Sequence, residues 1–352
     1  VADKTGISWT NATWNPVTGC DKVSPGCGLP RFDGDDTGGC YAMALAKRLK
    51  AMGSAKYQND GKPPLSGPGF GVTLHPHALE IPYHWRDPRR IFVTSMGDLF
   101  HDQVPDGFIA QVWDVIGRNQ QHVYQVLTKR HARMRSWMRR WADTTGDRLG
   151  DEGSGMPPMP RGPQAFRASS YSSGRSGLFA DMLDSMGDPP EGCAYPLYDW
   201  MEGWRFWPSD LFNVWLGVSA EDQHWADIRI SALLDTPAAV RFASLEPLLG
   251  PVDLHFCGGV DALERDWTGG PGGGSGAPHP FLDWVIVGGE SGPGHRPMEI
   301  EWLESIVSQC QDAGVPVHVK QDSGPRSGMQ GRIPDDIWKL KQFPSAAEVV
   351  TA

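Results

Sequence analysis

Several absences bound this chain of 352 residues. No run of about eighteen apolar residues occurs, so nothing in it reads as a membrane span. The opening residues, Val1-Ala-Asp-Lys-Thr-Gly, carry no apolar core of the kind a secretory signal has. A cytoplasmic protein is therefore expected, in which thiols stay reduced and clustered cysteines serve metal or catalysis more often than disulfides. An excess of positive charge is also missing. The formal net charge of −10 argues against a broad electrostatic footprint for nucleic acid, though it leaves room for a local basic patch. The closely paired cysteines usual in structural zinc sites are absent as well.

What the chain does have is loop-forming residues and tryptophan. Glycine (43) and proline (30) are both high, while 39% hydrophobic and 21% charged residues describe a folded chain. The length fits one large domain with insertions, or two domains at most. Fifteen tryptophans hint at aromatic-lined surfaces, although core packing accounts for many such residues. Three of the six cysteines, Cys20, Cys27 and Cys40, fall within twenty-one residues, separated by six and then twelve positions. They sit in a Gly/Pro-rich loop between a strand-like segment, residues 7–14, and a helix pattern, residues 43–52. Three thiolates on such a loop suit a metal centre with one open position. A [4Fe–4S] cluster normally takes four cysteines, and three would leave one iron free. A structural zinc and three unrelated buried thiols stay open as alternatives.

Further along, short apolar runs alternate with amphipathic segments. Strand-like runs lie at residues 71–75 (the weakest), 90–96, 122–127, 213–218, 239–243, 283–287 and 315–319. Helix patterns lie at 108–117, from about 130 to 141, at 225–234 and at 302–313. With residues 7–14 this gives about eight strands, so the expected class is α/β. The expected architecture is a full or partial (β/α) TIM-type barrel with parallel strands and right-handed crossovers. Asp98, Lys129, Glu221, Glu246, Glu290 and Lys320 recur just beyond the strand ends, where such barrels keep their active sites.

Two stretches interrupt the repeat. Residues 142–211 form a long insertion, a lid or a partly ordered linker, with a cluster at Tyr195, Tyr198, Trp200, Trp204 and Trp207. Residues 257–280 read as a Gly-rich connector. Residues 1–141 are thus the N-terminal part of the barrel, with the cysteine loop, and residues 212–352 the C-terminal part. Lys129, Arg130, Arg133, Arg135, Arg139 and Arg140 place six basic residues in twelve positions. They are either a phosphate-tracking surface, with Lys129, Arg130, Arg133, Arg135 and Arg139 as nucleic-acid contacts, or a solvated helix face. His75, His77 and His101 could extend a metal site, but are expected to serve as loop and helix-start residues.

A resemblance becomes specific when these blocks are taken together. The loop from Thr13-Trp-Asn-Pro-Val-Thr-Gly-Cys20 through Val23-Ser-Pro-Gly-Cys27 to Cys40-Tyr41-Ala42 resembles a family of phage and prophage proteins. That family belongs to the radical S-adenosylmethionine (SAM) superfamily, which also holds spore photoproduct lyase. The likeness continues through Arg89-Arg-Ile-Phe-Val-Thr-Ser-Met-Gly-Asp-Leu-Phe-His101, Gln125-Val-Leu-Thr-Lys-Arg130, Trp215-Leu-Gly-Val-Ser219, Ser244-Leu-Glu-Pro247, Val287-Gly-Gly-Glu-Ser-Gly292 and Val319-Lys-Gln321. It covers most of the chain outside residues 142–211 and 257–280. The family has two residues between its second and third cysteines, whereas twelve stand here, and an inserted hairpin at residues 31–37 would return Cys40 to Cys27.

The resemblance implies that Cys20, Cys27 and Cys40 hold a [4Fe–4S] cluster, with SAM on the free iron. An electron from the cluster would cleave a C–S bond and give a 5′-deoxyadenosyl radical that takes hydrogen from substrate. Ser95, Asp98, Ser219, Glu221, Glu246 and Glu290 are the candidate cofactor contacts. A Gly-Gly-Glu sequence also occurs in the superfamily's SAM-amine motif, but Gly288-Gly-Glu290 lies on a late strand and that role is not carried over. The resemblance further implies a phage-infected or prophage-carrying bacterial cytoplasm, an electron donor such as flavodoxin or ferredoxin, and a DNA base or nucleotide as substrate. Two other function classes remain: a nucleic-acid-binding protein with structural zinc, and an Fe–S regulator without turnover.

Overall fold

The structure is a computed structural model, described here for residues 5–29, 39–145, 211–264 and 280–344. The expected hairpin at 31–37, Cys193 and the aromatic cluster of the insertion lie outside the described residues. Among those described, the strands are β1 (Ala12–Trp14), β2 (Val17–Thr18), β3 (Thr73–Leu74), β4 (Arg90–Val93), β5 (Val123–Thr128), β6 (Val214–Ser219), β7 (Val240–Leu245), β8 (Trp284–Val287) and β9 (Val317–Val319). The helices are α1 (Tyr41–Ala51), α2 (Asp106–Arg118), α3 (His131–Thr145), α4 (Gln223–Leu234), α5 (Ile300–Asp312) and the short α6 (Asp335–Trp338).

Seven strands form one parallel sheet in the order β1-β4-β5-β6-β7-β8-β9, which follows the chain. This is a curled half-barrel with helices, a partial α/β barrel whose first and last strands do not pair. Seven of the eight strand-like segments thus fall where the sequence pattern puts them. The exception is 71–75: β3 pairs antiparallel with β2, Val17 opposite Leu74, in a separate two-stranded ribbon. Only Thr73 and Leu74 are extended there, too short a run to span a sheet layer.

Strict alternation along each strand builds two apolar layers, as a sheet buried on both faces requires. Ile91, Val93, Tyr124, Val126, Leu216, Val218, Ala243, Leu245, Val285 and Val287 face the helices, meeting Ile109 and Trp113 of α2, Trp137 of α3, Ile230 of α4 and Ile306 of α5. Their neighbours Phe92, Trp215, Val240, Phe242, Trp284 and Ile286 point the other way and pack around Trp9. The Trp9 ring stands 4.6 Å from Phe92 and 6.3 Å from Trp284, which in turn lies 5.6 Å from Trp215. The concave side is therefore filled with aromatic rings. Residues just before β1 cross that side, and the Ser8 hydroxyl meets His318 Nε2 of β9 at 2.9 Å.

Two boundaries differ from the sequence pattern. α3 continues past residue 141 to Thr145, so the insertion begins later. Residues 257–264 are packed turn and not connector, with Cys257, Ala262 and Leu263 in the main core. No helix among the described residues is long and apolar enough to cross a membrane.

The inner layer leaves no room at Gly217, where an added Cβ would stand 2.4 Å from the Phe242 ring. In an open strand, Gly→Ala usually stabilises slightly by restricting the unfolded chain. Gly217→Ala should instead lower stability by about 1–3 kcal/mol through overpacking. Urea unfolding would show this as a lower midpoint at unchanged slope, and a higher midpoint would contradict the packed concave face.

Candidate metal centre

Cys20, Cys27 and Cys40 lie on the loop leaving β1, and that loop runs across the C-terminal ends of the other strands. Among its described residues, regular structure between Cys20 and Cys40 is one 3-10 turn at Pro25–Cys27, and α1 starts directly after Cys40. In its place there are tethers, and each falls on the glycine that precedes a cysteine. Gly19 N–H donates to the Met96 carbonyl beyond β4 (2.9 Å). Gly26 N–H donates to Glu221 Oε1 beyond β6 (3.0 Å). Gly39 N–H donates to Glu290 Oε1 beyond β8 (3.2 Å). Glycine is required at the first of these. Gly19 has φ +88°, and a Cβ there would stand 2.2 Å from the Gly71 carbonyl oxygen.

The β4 end is shaped to meet Gly19. Thr94 adopts φ 60°, a left-handed conformation that a β-branched residue seldom takes. It turns the chain so that Met96 N–H and the Ser95 hydroxyl both reach Asn15 Oδ1 (2.9 and 3.2 Å). Ser95 O accepts the Tyr41 hydroxyl (2.5 Å), joining the residue after Cys40 to the same turn. α1 packs beneath the loop through Ala42 and Ala46, against Tyr57, Phe70 and Met96, with Cys20 and Cys40 at the margin.

The acidic strand-end residues are mostly engaged. Asp98 accepts from the Thr128 hydroxyl (2.7 and 2.9 Å), Phe100 N–H (3.0 Å) and Lys129 N–H (3.2 Å). Glu221 is wholly buried against the equally buried Arg229 (3.0 Å), and Lys129 Nζ stands 3.6 Å away. Burial pushes the Glu221 carboxyl up, but the Lys129 and Arg229 charges and the hydrogen bond from Gly26 N–H bring it below its ordinary value. Glu290 forms a two-toothed pair with Arg296, through Nη2 (2.7 Å) and Nε (2.9 Å). Ser219 accepts from Lys129 Nζ and donates to Glu246 O. Glu246 is half-open, with Lys320 (2.5 Å) and Gln321 (3.3 Å) on Oε1.

The three thiols are half-buried and unpaired by disulfide. Burial pushes the Cys20 thiol well up, followed by the Asp98 charge, with Cys27 and Cys40 adding to it. Burial raises Cys40 too, and Cys27 adds to that. The three sulfurs thus lie within one another's electrostatic reach, and loading a metal would have to displace their protons. Among the described residues no group of three or more His, Cys, Asp or Glu could hold a single metal ion. An iron–sulfur cluster makes a different demand, since its thiolates sit around a cluster and not around one ion. Arg229 offers a second sign of fit. Its Nε and Nη2 are buried without a hydrogen-bond partner, its guanidinium lies over the Trp225 ring (4.0 Å), and burial lowers it against the opposing charges of Glu221 and Cys27. A buried guanidinium with idle donors beside a thiol suits a thiolate-bound, negatively charged group.

The sequence thus points to this end of the sheet and to all six acidic and hydroxyl candidates, but not to what holds them. Arg229 and Arg296 go unnoticed, although a charged residue inside the apolar pattern of α4 is a signal, as is a glycine before every loop cysteine. The histidines take loop roles: His75 Nε2 meets the Thr18 hydroxyl (2.8 Å), and His101 Nε2 meets Asp21 (3.1 Å). On α3, Arg133 and Arg140 both face Asp106, while Arg135 and Arg139 both face Asp235. Arg130 faces Asp102, and Lys129 turns inward to Glu221.

A family model described as a protein of unknown function (DUF5131) matches residues 4–333. Neither a curated protein nor a solved structure matches the chain.

Removing one partner of a buried ion pair strands the other charge. Arg229→Met should therefore destabilise by about 3–5 kcal/mol in urea, and adding Glu221→Gln should recover part of that loss. The folded Glu221 carboxyl titrates below its ordinary 4.5, so its contribution is fully present above that pH and is lost as pH falls through the lower folded value. Glu221→Gln should flatten this acid limb. An unchanged limb would contradict the pairing.

Proposed function

The chain belongs to the DUF5131 family, and we propose that it is a radical SAM enzyme on a TIM-type half-barrel, with Cys20, Cys27 and Cys40 holding a [4Fe–4S] cluster. The observation that carries the proposal is the loop itself. Three thiols stand at the C-terminal strand ends on a loop whose Gly19, Gly26 and Gly39 N–H groups donate to acceptors beyond three different strands. Three cysteine ligands leave one iron of such a cluster free, the place where SAM would bind and be reductively cleaved.

The residues of this chain would do the binding, orienting and shielding. Arg229, beside Cys27, would supply positive charge and N–H donors to the bound thiolate. Asp98, Ser95 and Ser219 line the turns around the cysteine loop. Glu246, whose Oε2 has no hydrogen-bond partner among the described residues, is the candidate acceptor for a ribose hydroxyl or an amino group. The aromatic rings filling the concave face close the sheet from the opposite side and keep water from entering there. Reduction calls for an external donor of the flavodoxin or ferredoxin kind.

The substrate class we assign is a nucleobase of DNA or a free nucleotide, on the strength of the resemblance. On α3, four guanidinium groups share two carboxylates, which leaves that exposed face with more positive than negative charge.

Protein reconstituted anaerobically should carry about four irons per chain and a broad brown absorbance. Cys20→Ala, Cys27→Ala and Cys40→Ala should each abolish it. Cys257→Ala and Cys310→Ala, buried in the main core, should not. Stoichiometric zinc without iron would contradict the proposal. For the substrate, DNA binding should weaken with salt by roughly one unit of log–log slope per phosphate contacted. Salt-insensitive or absent binding would turn the assignment to a free nucleotide.

A further inference from the structure

Glu221 and Glu290 stand among the candidate cofactor contacts, yet their surroundings give them other work. Glu290 is 6% exposed, and all its hydrogen-bonding directions are in use. Oε1 takes Arg296 Nη2 and Gly39 N–H, while Oε2 takes Arg296 Nε (2.9 Å) and the Arg296 backbone N–H (2.8 Å). Glu221 gives Oε2 to Arg229 and Lys129 and Oε1 to Gly26 N–H. Arg296 Nη1 also donates to the Pro25 carbonyl (2.9 Å), so the Glu290 anchor holds the turn before Cys27 as well. Both buried ion pairs therefore end on the N–H of the glycine that precedes a cysteine.

We infer that Glu221 and Glu290 are positioning residues: each buried carboxylate–arginine pair clamps the N–H of Gly26 or Gly39 and so sets where the Cys27 and Cys40 thiols stand. The inference rests on the cluster proposal above and gives two of its candidate SAM contacts a different role. The physical reasons are local. The described part of the loop has one 3-10 turn, at Pro25–Cys27, and the bonds that fix Gly26 and Gly39 come from other elements. A carboxylate makes a stronger acceptor for a peptide N–H than a neutral group does. Burying that carboxylate is tolerable only beside a guanidinium, and the pairing then keeps it from swinging out to a ligand, because leaving would strand the arginine.

The test uses the full chain and separates tether from cofactor contact. Gly39→Pro deletes the N–H but leaves Glu290 and Arg296 paired. Gly39→Ala keeps the N–H, and its Cβ would meet nothing within 4 Å. After anaerobic reconstitution and gel filtration, Gly39→Pro should retain little iron, whereas Gly39→Ala should match the wild type. Glu290→Ala and Glu221→Ala should likewise lose iron, while clusters that remain keep their SAM affinity within about twofold. Glu290→Gln and Glu221→Gln, which keep an acceptor oxygen, should rescue iron retention in part. In the apoprotein, amide exchange at Gly39 should quicken by about tenfold or more in Glu290→Ala, as should that at Gly26 in Glu221→Ala. Full iron content with SAM affinity weakened about tenfold would make these residues cofactor contacts and overturn the inference. Unchanged amide protection would overturn it too. A wild-type protein that takes up no iron would overturn the cluster proposal instead, and the exchange measurement would still decide the tethers.

Discussion

Everything at the mouth of this half-barrel depends on two buried ion pairs, Glu221 with Arg229 and Glu290 with Arg296. A charge taken out of water costs several kcal/mol unless it is paired and hydrogen-bonded. Here each carboxylate is satisfied on one side by a guanidinium and on the other by a glycine N–H of the cysteine loop. The loop is thus part of the solvation of those charges, and its position follows from their burial. A third glycine, Gly19, is fixed by a backbone bond to Met96 and by a close approach to Gly71 that excludes a side chain. Three strand ends hold three cysteines.

The same logic runs through the neighbouring groups. Lys129 bridges Ser219 and Glu221, and Lys320 closes on Glu246, so the largely buried lysines neutralise acids that would otherwise repel one another. Positive and negative groups are nearly balanced around the thiols. A thiolate-bound cluster placed there would be the added negative charge, and Lys129 and Arg229, both at Glu221, are cations that would meet it. Beneath, the sheet contributes rigidity in place of chemistry: Trp9, Trp215 and Trp284 fill the concave side, while Trp113, Trp137 and Trp141 pack edge-to-face and tilted between α2 and α3.

Much of the fold is legible in the sequence because its signals are local. Apolar runs buried on both faces mark seven parallel strands, and amphipathic stretches between them mark the helices to within a few residues. The segment 71–75 misleads because alternation over five residues cannot tell a sheet strand from a short ribbon. The cysteines and the polar strand ends also stand out, since charge beside an apolar run is visible without coordinates. Their partners are not. Arg229 follows Glu221 by one helical stretch and Arg296 follows Glu290 through a loop, so only the folded chain brings guanidinium, carboxylate and a glycine from the first forty residues together. The basic helix shows the converse limit, because the carboxylates that face its arginines, Asp106 and Asp235, come from other elements.

The most direct test of the central claim is SAM cleavage by the anaerobically reconstituted, dithionite-reduced protein, with products followed by chromatography and mass spectrometry. If Cys20, Cys27 and Cys40 hold a catalytic cluster, wild-type protein should form 5′-deoxyadenosine and methionine, and the Cys27→Ala variant should form neither. A protein that carries its full complement of iron, becomes reduced and leaves SAM intact would contradict the account and mark the cluster as one without turnover.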